Sequence, residues 1–130
     1  MRNGGFLAAA TALLVSCSLP AEPVKACNDA VNVYFTRQVA QLNLDALENV
    51  LLAVSTLKAC PAAKAKVTGH IDGAERRTPR LGEARAANVT SLLTKNGIER
   101  SRITVIDAGL AAPADTGSQP RNRFVSIEWR

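Results

Sequence analysis

The sequence predicts an α/β (α+β) two-layer sandwich with the element order β-α-β-α-β-β and helices on one face of a mixed sheet. Two observations predict this class: two segments carry apolar residues at helical spacing, and short apolar or alternating segments precede, separate and follow them. Strands separated by helices need crossover connections, which place helices over the sheet. A chain of 130 residues with 47% apolar and 21% charged residues suits one small domain.

The first strand is predicted over Val31–Phe35, and a leucine-rich helix follows it. Asn43 suits the N-cap of this helix, because its side chain can accept a hydrogen bond from a free backbone N–H group. The helix is predicted to end at Cys60-Pro61, and the second strand to cover Lys64–Ile71.

The second helix has a predicted start and a predicted stop. Thr78 is expected to cap it, with Pro79 at the first helical position, where a missing N–H group costs nothing. Asn96-Gly97 is expected to end it, and Ile98 to cover that end with an apolar side chain.

Two further strands complete the predicted sheet. Ile103–Ala108 is the third, and a loop with Pro and Gly residues follows over 110–122. Val125–Trp129 alternates between apolar and polar residues, which predicts a half-buried final strand.

The amino terminus is predicted to be an export signal covering residues 1–16, with a basic start and a dozen apolar or small residues. Its end, Leu14-Val15-Ser16-Cys17, resembles the bacterial lipobox, which would make Cys17 the lipidated first residue of the mature chain. Ordinary signal-peptidase cleavage after Ala26 is the alternative, and it would release a soluble periplasmic protein.

Residues 17–30 are then a short lipidated tether, and residues 31–130 are the folded domain. Ser18, rather than an aspartate, follows Cys17, which in the usual bacterial sorting scheme favours the periplasmic face of the outer membrane. The predicted membrane contact is thus the lipid anchor, and no run of apolar residues reaches the length of a spanning helix.

The chain has three cysteines, so pairing them as disulfides in an oxidising compartment leaves one cysteine over. If Cys17 carries lipid, Cys27 and Cys60 remain as a disulfide pair, which the chain-entropy model values at about 3 to 4 kcal/mol. A structural zinc site is disfavoured, because the chain has one histidine and no C-x-x-C pair. We therefore expect no metal and no cofactor.

The net charge of +5 indicates an anionic partner or a solvated basic face. The basic residues cluster from Arg76 to Arg102. Export removes the chain from nucleic acid, and 4% aromatic residues offer few stacking platforms. An anionic polymer of the cell envelope is the better candidate.

Motifs along the mature chain resemble the OmpA-like peptidoglycan-binding domain family through their order and spacing. They are Val33-Tyr34-Phe35, Leu42, the leucine-rich helix, Val67–Asp72, Leu81–Val89, Gly97-Ile98, Arg102-Ile103, Gly109, Pro113 and Asn122–Val125. The resemblance implies a pocket for the diaminopimelate of the peptidoglycan stem peptide.

The resemblance places Asp72 and Arg85 at the two family positions that hold the diaminopimelate end group. One carboxylate and one guanidinium match an ammonium beside a carboxylate in charge and geometry. Gln38 and Arg123 take further pocket positions, and Thr78 stands where the family has asparagine.

Other residues depart from the family pattern or have an alternative explanation. Ile71 replaces a threonine and Phe124 replaces an arginine, so each removes a hydrogen-bonding group. Asp72 alone could accept local backbone bonds in a turn, and Arg85 could form a surface ion pair with Glu83 or Asp72. Thr78 could serve only as a helix cap.

A catalytic role is disfavoured. His70 two residues before Asp72 lacks a nucleophile, and Asp72 with Glu75 or Glu83 does not suggest the opposed carboxylates of glycan cleavage. The sequence therefore predicts a non-catalytic lipoprotein that binds peptidoglycan and links the outer membrane to the cell wall. The alternative is an envelope assembly or adaptor protein of the same fold that binds a protein partner.

Overall fold

The computed structural model describes residues 26–112 and 116–130. The leader, Cys17 with its lipobox, most of the tether and Pro113 lie outside these residues. The predicted order β-α-β-α-β-β is confirmed, with three single-turn 3₁₀ helices at Gly73–Glu75, Arg100–Arg102 and Pro120–Asn122. The elements are β1 (Asp29–Tyr34), α1 (Leu44–Ala59), β2 (Ala65–Ile71), α2 (Leu81–Lys95), β3 (Ile103–Leu110) and β4 (Phe124–Trp129).

The four strands form one mixed sheet in the order β1-β4-β2-β3. β2 and β3 run parallel, and β4 runs antiparallel to both β1 and β2. The two helices pack against this sheet as predicted, and the core lies between the layers. Its fully buried members include Val33, Val50, Val67, Val89, Leu57, Leu93, Val125 and Ile127.

The first helix begins and ends where local signals predict. The side chain of Asn43 accepts a hydrogen bond of 2.8 Å from the Ala46 N–H group, and Cys60 is the C-cap. Cys60 is also joined to Cys27 by a disulfide, with 5.6 Å between the Cα atoms. The predicted pairing is therefore present, and it ties the segment before β1 to the end of α1.

The second helix also ends as predicted. Gly97 has a φ of +95°, a left-handed conformation that suits glycine. Its N–H group donates to Thr94 O at 3.0 Å, and the Ile98 N–H group donates to Leu93 O at 3.1 Å. These two bonds form a Schellman motif, in which Ile98, 2% exposed, covers the helix end.

The predicted start of the second helix was wrong. The helix begins at Leu81 and not at Pro79, and its N-cap is Arg80, a left-handed residue with a φ of 61° and no side-chain cap bond. The hydroxyl of Thr78 bonds to the Gln38 side chain instead of capping a helix. The contact with Gln38 thus takes up the hydroxyl that the local Thr-Pro signal assigned to the helix.

The final strand is more buried than its alternating sequence predicts. Ser126 is only 7% exposed, beside Val125 and Ile127 at 0%. β4 lies inside the sheet, where Ser126 has Asn32 and Thr68 as its cross-strand neighbours. Strand order therefore decides burial here. Within the described residues, no helix has the length and apolar character needed to span a bilayer.

Candidate ligand-binding site

The predicted site residues within the described chain meet at one edge of the sheet. Asp72 follows the carboxyl end of β2, and Arg85 lies on the second turn of α2. Gln38 and Thr78 contribute from the two neighbouring loops, and Arg123 immediately precedes β4. Residues from four separate parts of the chain thus converge on one place.

Asp72 is completely buried and organises the turn that follows it. Its Oδ1 accepts a hydrogen bond of 3.0 Å from the Glu75 N–H group, while the Glu75 carboxylate accepts one of 3.1 Å from the Asp72 N–H group. This reciprocal pair is a capping box. The other oxygen, Oδ2, accepts bonds from the Gln119 N–H group at 2.9 Å and from Arg123 Nη1 at 3.1 Å.

Arg85 is also completely buried, and its partner is Glu75. Nη1 and Nη2 donate to the two oxygens of the Glu75 carboxylate at 2.8 and 2.5 Å. The alternative of a surface pair with Glu83 or Asp72 was therefore wrong. Glu83 instead accepts two hydrogen bonds from the exposed Arg80.

Three backbone carbonyl groups surround the rest of the Arg85 guanidinium. Val39 O accepts from Nε at 2.9 Å, Thr36 O from Nη2 at 3.1 Å, and His70 O from Nη1 at 3.2 Å. The Phe35 ring lies with its centroid 5.2 Å from the guanidinium carbon, at cation–π distance. The loop after β1 thus folds over Arg85.

Glu75 is the central residue that sequence reasoning did not place in the binding site. Burial alone would raise the pKa of its carboxyl group. Hydrogen bonds from Arg85, Gln38 and Asp72, together with the Arg85 charge, outweigh this effect and hold the pKa below its ordinary value. The spacing Asp-x-x-Glu is the capping-box signal that could have identified it.

Gln38 and Thr78 form a polar rim above this ion pair. Gln38 has a left-handed backbone with a φ of 61°, and its N–H group donates to Glu75 Oε2 at 2.8 Å. The Thr78 hydroxyl donates to the Gln38 side-chain oxygen. The rim therefore connects the loop after β1 to the segment between β2 and α2.

Arg123 lies at the border between the buried centre and the surface, with 11% of its side chain exposed. It donates to Asp72 Oδ2, to Phe35 O and to Ser118 Oγ, each at 3.1 Å. It also lines a surface groove, whose walls are formed by Tyr34, Phe35, Thr36, Asn43, Pro120, Arg121 and Arg123. The groove is open to a ligand from solvent.

His70 has a structural position beside the site. Its ring stacks on Phe124 with centroids 4.4 Å apart, and Phe124 also contacts Tyr34. Burial lowers the pKa of His70 below its ordinary value, although the charges of Asp107 and Glu128 oppose that shift. At neutral pH the imidazole of His70 is therefore uncharged while it stacks on the Phe124 ring.

Exposed arginines surround the site and make its rim positive. Arg37, Arg76, Arg77 and Arg121 are all exposed and adjoin site residues along the chain. In the described part of the chain, no three His, Cys, Asp or Glu side chains form a group that could hold a metal ion.

The fold and the site together define a small α+β recognition domain, with two carboxylate–arginine pairs at one edge of its sheet. The sequence profile of the OmpA family matches residues 34–125, which is most of the chain. The chain belongs to the OmpA family.

A curated relative is the peptidoglycan-associated lipoprotein of Legionella pneumophila, which is 34% identical over 87 residues. The match covers 62% of this chain and 49% of the relative, so the chain spans about half the length of that protein. All site residues named above lie inside the family match.

Solved structures share the fold at lower identity. The OmpA-like domain of FopA1 from Francisella tularensis has a TM-score of 0.67 at 20% identity, covering 76% of this chain and 70% of that one. The peptidoglycan-associated lipoprotein from Burkholderia pseudomallei has 0.65 at 20%, covering 76% and 89%. The cell wall anchor of the T6SS from Pseudomonas aeruginosa has 0.63 at 24%, covering 78% and 80%.

Proposed function

We propose that this domain is a non-catalytic module that binds peptidoglycan through the diaminopimelate end of a stem peptide. The observation that carries the proposal is the arrangement around Arg85, which holds a carboxylate in a two-pronged hydrogen-bonded fork. Planar recognition of a carboxylate by both guanidinium arms is the strongest geometry that this side chain offers. At the sheet edge, Arg85 thus has the geometry that binds a carboxylate, with Glu75 as its partner in the folded chain.

The free end of diaminopimelate presents an ammonium group beside a carboxylate. The site has the complementary charges: Arg85 and Arg123 for the carboxylate, and Asp72 for the ammonium. Gln38 and Thr78 supply polar rim contacts, and the groove beside Arg123 gives the stem peptide a path from solvent. Membership in the OmpA family and the likeness to a peptidoglycan-associated lipoprotein support this assignment.

The rim strengthens the proposal through charge. Peptidoglycan stem peptides carry carboxylates, and the exposed Arg37, Arg76, Arg77 and Arg121 make the approach to the site positive. Such a field attracts an anionic polymer before contact, and salt screens it.

The proposed cellular role is a link between the outer membrane and the wall, with the chain anchored by lipid on Cys17. Intact-mass analysis of the exported protein tests the anchor, because a mature chain that begins at acylated Cys17 supports it. A lipid-free mature chain beginning at Cys27 would leave a soluble periplasmic protein. Three acyl chains would give the stable anchoring that a single chain does not.

A sedimentation assay with insoluble peptidoglycan tests the binding role directly. The purified exported chain should sediment with the wall and remain in the supernatant without it. Free meso-diaminopimelate should compete, since it presents the same end group. A correctly folded chain that stays in the supernatant would reject wall binding and favour the adaptor alternative.

A further inference from the structure

The guanidinium of Arg85 has no free hydrogen-bond donor in the folded chain. An arginine side chain offers five N–H groups. Backbone carbonyls of Thr36, Val39 and His70 accept three of them, and the Glu75 carboxylate accepts the other two. With its side chain fully buried, Arg85 meets an external carboxylate only if one of these acceptors leaves.

Glu75 is the acceptor that can leave. The three carbonyls belong to the backbone at the end of β2 and in the loop folded over the site, so their positions are held by the fold. Glu75 instead reaches Arg85 through a flexible side chain from a single-turn helix. A rotation about its side-chain bonds would vacate both guanidinium donors without moving that backbone.

We infer that Glu75 is an internal carboxylate ligand of Arg85, and that an external carboxylate binds Arg85 by replacing it. This inference rests on the proposed function for the identity of the external ligand. The exchange conserves charge at the buried centre, since one carboxylate leaves Arg85 as another arrives. The two oxygens of the incoming group take over the Nη1 and Nη2 hydrogen bonds.

The exchange also frees two backbone donors at the rim. Besides Arg85, Glu75 accepts hydrogen bonds from the Gln38 and Asp72 N–H groups. Departure of the side chain releases both amides, so the incoming carboxylate finds two further donors at the place that Glu75 occupied. The incoming carboxylate can therefore take over the contact that Glu75 makes with the loop after β1.

This internal competition sets the affinity of the site. The observed dissociation constant equals the intrinsic one divided by the fraction of molecules in which Glu75 has vacated Arg85. Removing the Glu75 carboxylate should therefore tighten binding of small carboxylates, which is the opposite of what loss of a ligand-contacting residue does.

The test measures meso-diaminopimelate binding by calorimetry for wild type, Glu75→Ala, Glu75→Gln and the double variant Glu75→Ala with Arg85→Met. Glu75→Ala should bind at least about tenfold more tightly than wild type, by the population relation above. The double variant should lose this gain. Glu83→Gln is the matched control, since it makes the same chemical change on an exposed glutamate and should bind like wild type.

Acetate gives a second readout that also covers poor folding of Glu75→Ala. Acetate should raise the melting temperature of Glu75→Ala, and of Glu75→Gln to a smaller degree, more than that of wild type, because it fills the vacated carboxylate position. In wild type, ¹³C-detected titration of Glu75 should show its carboxyl pKa rising toward its ordinary value when meso-diaminopimelate saturates the site.

Two results separate this inference from the proposed function. In the first, wild type binds walls, Glu75→Ala binds meso-diaminopimelate no more tightly than wild type, and the ligand leaves the Glu75 titration unchanged. This result would overturn the exchange and leave wall binding in place. Absence of wall and diaminopimelate binding in wild type and in both Glu75 variants would overturn both.

Discussion

Gly69 in β2 and Gly82 in the first turn of α2 are in backbone contact, and a Cβ atom added to Gly69 would lie 1.9 Å from the Gly82 carbonyl oxygen. A side chain on Gly69 therefore has no room between the strand and the helix. The contact brings the start of α2 onto β2, so that Arg85, one turn further on, reaches beneath the end of the strand. The two glycines therefore position the ion pair at the centre of the site.

Gly69→Ala should destabilise the domain by about 1 to 3 kcal/mol or more, because backbone atoms block the new methyl group. Gly82→Ala should cost much less. Its Cβ would meet chiefly the Asp107 carboxylate at 2.6 Å, a side chain that can move, and alanine favours the helix. Urea denaturation of both variants measures the difference, and equal losses would contradict the close-contact explanation.

Removal of Arg85 should be far more damaging than removal of both members of its pair. Arg85→Met leaves the Glu75 carboxylate buried and without its cation, at a cost of about 3 to 5 kcal/mol. The double variant Arg85→Met with Glu75→Gln leaves no buried charge and should recover a substantial part of that loss. A double-mutant cycle in urea measures the coupling, with the exposed pair Arg80 and Glu83 as the control. Additive losses at the buried pair would contradict this interpretation.

Acid should destabilise the wild type through Glu75. Its folded pKa lies below the ordinary value of 4.5, so the ionised carboxylate contributes its full stability above about pH 4.5. As the pH falls from there through the folded pKa, the unfolded chain takes up the proton before the folded chain does, and this stability is lost. Glu75→Gln should show a shallower decline in its free energy of unfolding over the same range. If the free energy of unfolding declined equally in both proteins, groups other than Glu75 would cause the acid sensitivity.

Arg123→Met should weaken wall binding by about 1.5 to 3 kcal/mol, the range for hydrogen bonds to charged groups. Arg130→Met is the matched control. It removes the same charge from the opposite end of β4, where the residue is exposed and outside the groove. Sedimentation with walls at several protein concentrations gives both affinities. Equal weakening by the two substitutions would indicate general charge attraction instead of a localised site.

Amidation of the diaminopimelate carboxylate should weaken binding by wild type more than binding by Arg85→Ala. The amide is neutral, so if it replaced Glu75 it would leave the positive charge of the Arg85 guanidinium without a negative partner. A parallel assay on amidated and free walls measures this difference in folded proteins. Equal binding of wild type to both walls would show that the diaminopimelate carboxylate is not recognised.

Local signals predicted much of the fold because they act within a few residues. The Asn43 cap, the helix end at Cys60 and the Gly97 stop each depend on backbone groups one turn away, and all three are present. The Thr78-Pro79 signal failed because a tertiary contact competed with it: the Thr78 hydroxyl bonds Gln38, forty residues away in the chain.

Residue types in the site were predictable, but their pairing was not. The family resemblance selected Asp72, Arg85 and Arg123, and the structure brings them to one edge. Arg85 pairs with Glu75 instead of Asp72 or Glu83, while Asp72 pairs with Arg123, 51 residues later. Which carboxylate meets which guanidinium depends on how α2 and β4 lie against β2.

The sequence by itself determined the order of elements, the ends of the first helix, the end of the second and the set of charged residues available to the site. These follow from periodicity and short-range hydrogen bonding, which depend only on residues close together in the sequence. Only the tertiary structure decided the strand order, the burial of Ser126 and the saturation of Arg85 by Glu75 and three backbone carbonyls. Each of these depends on contacts between distant segments, whose geometry is set when the sheet, the helices and the loop after β1 pack together.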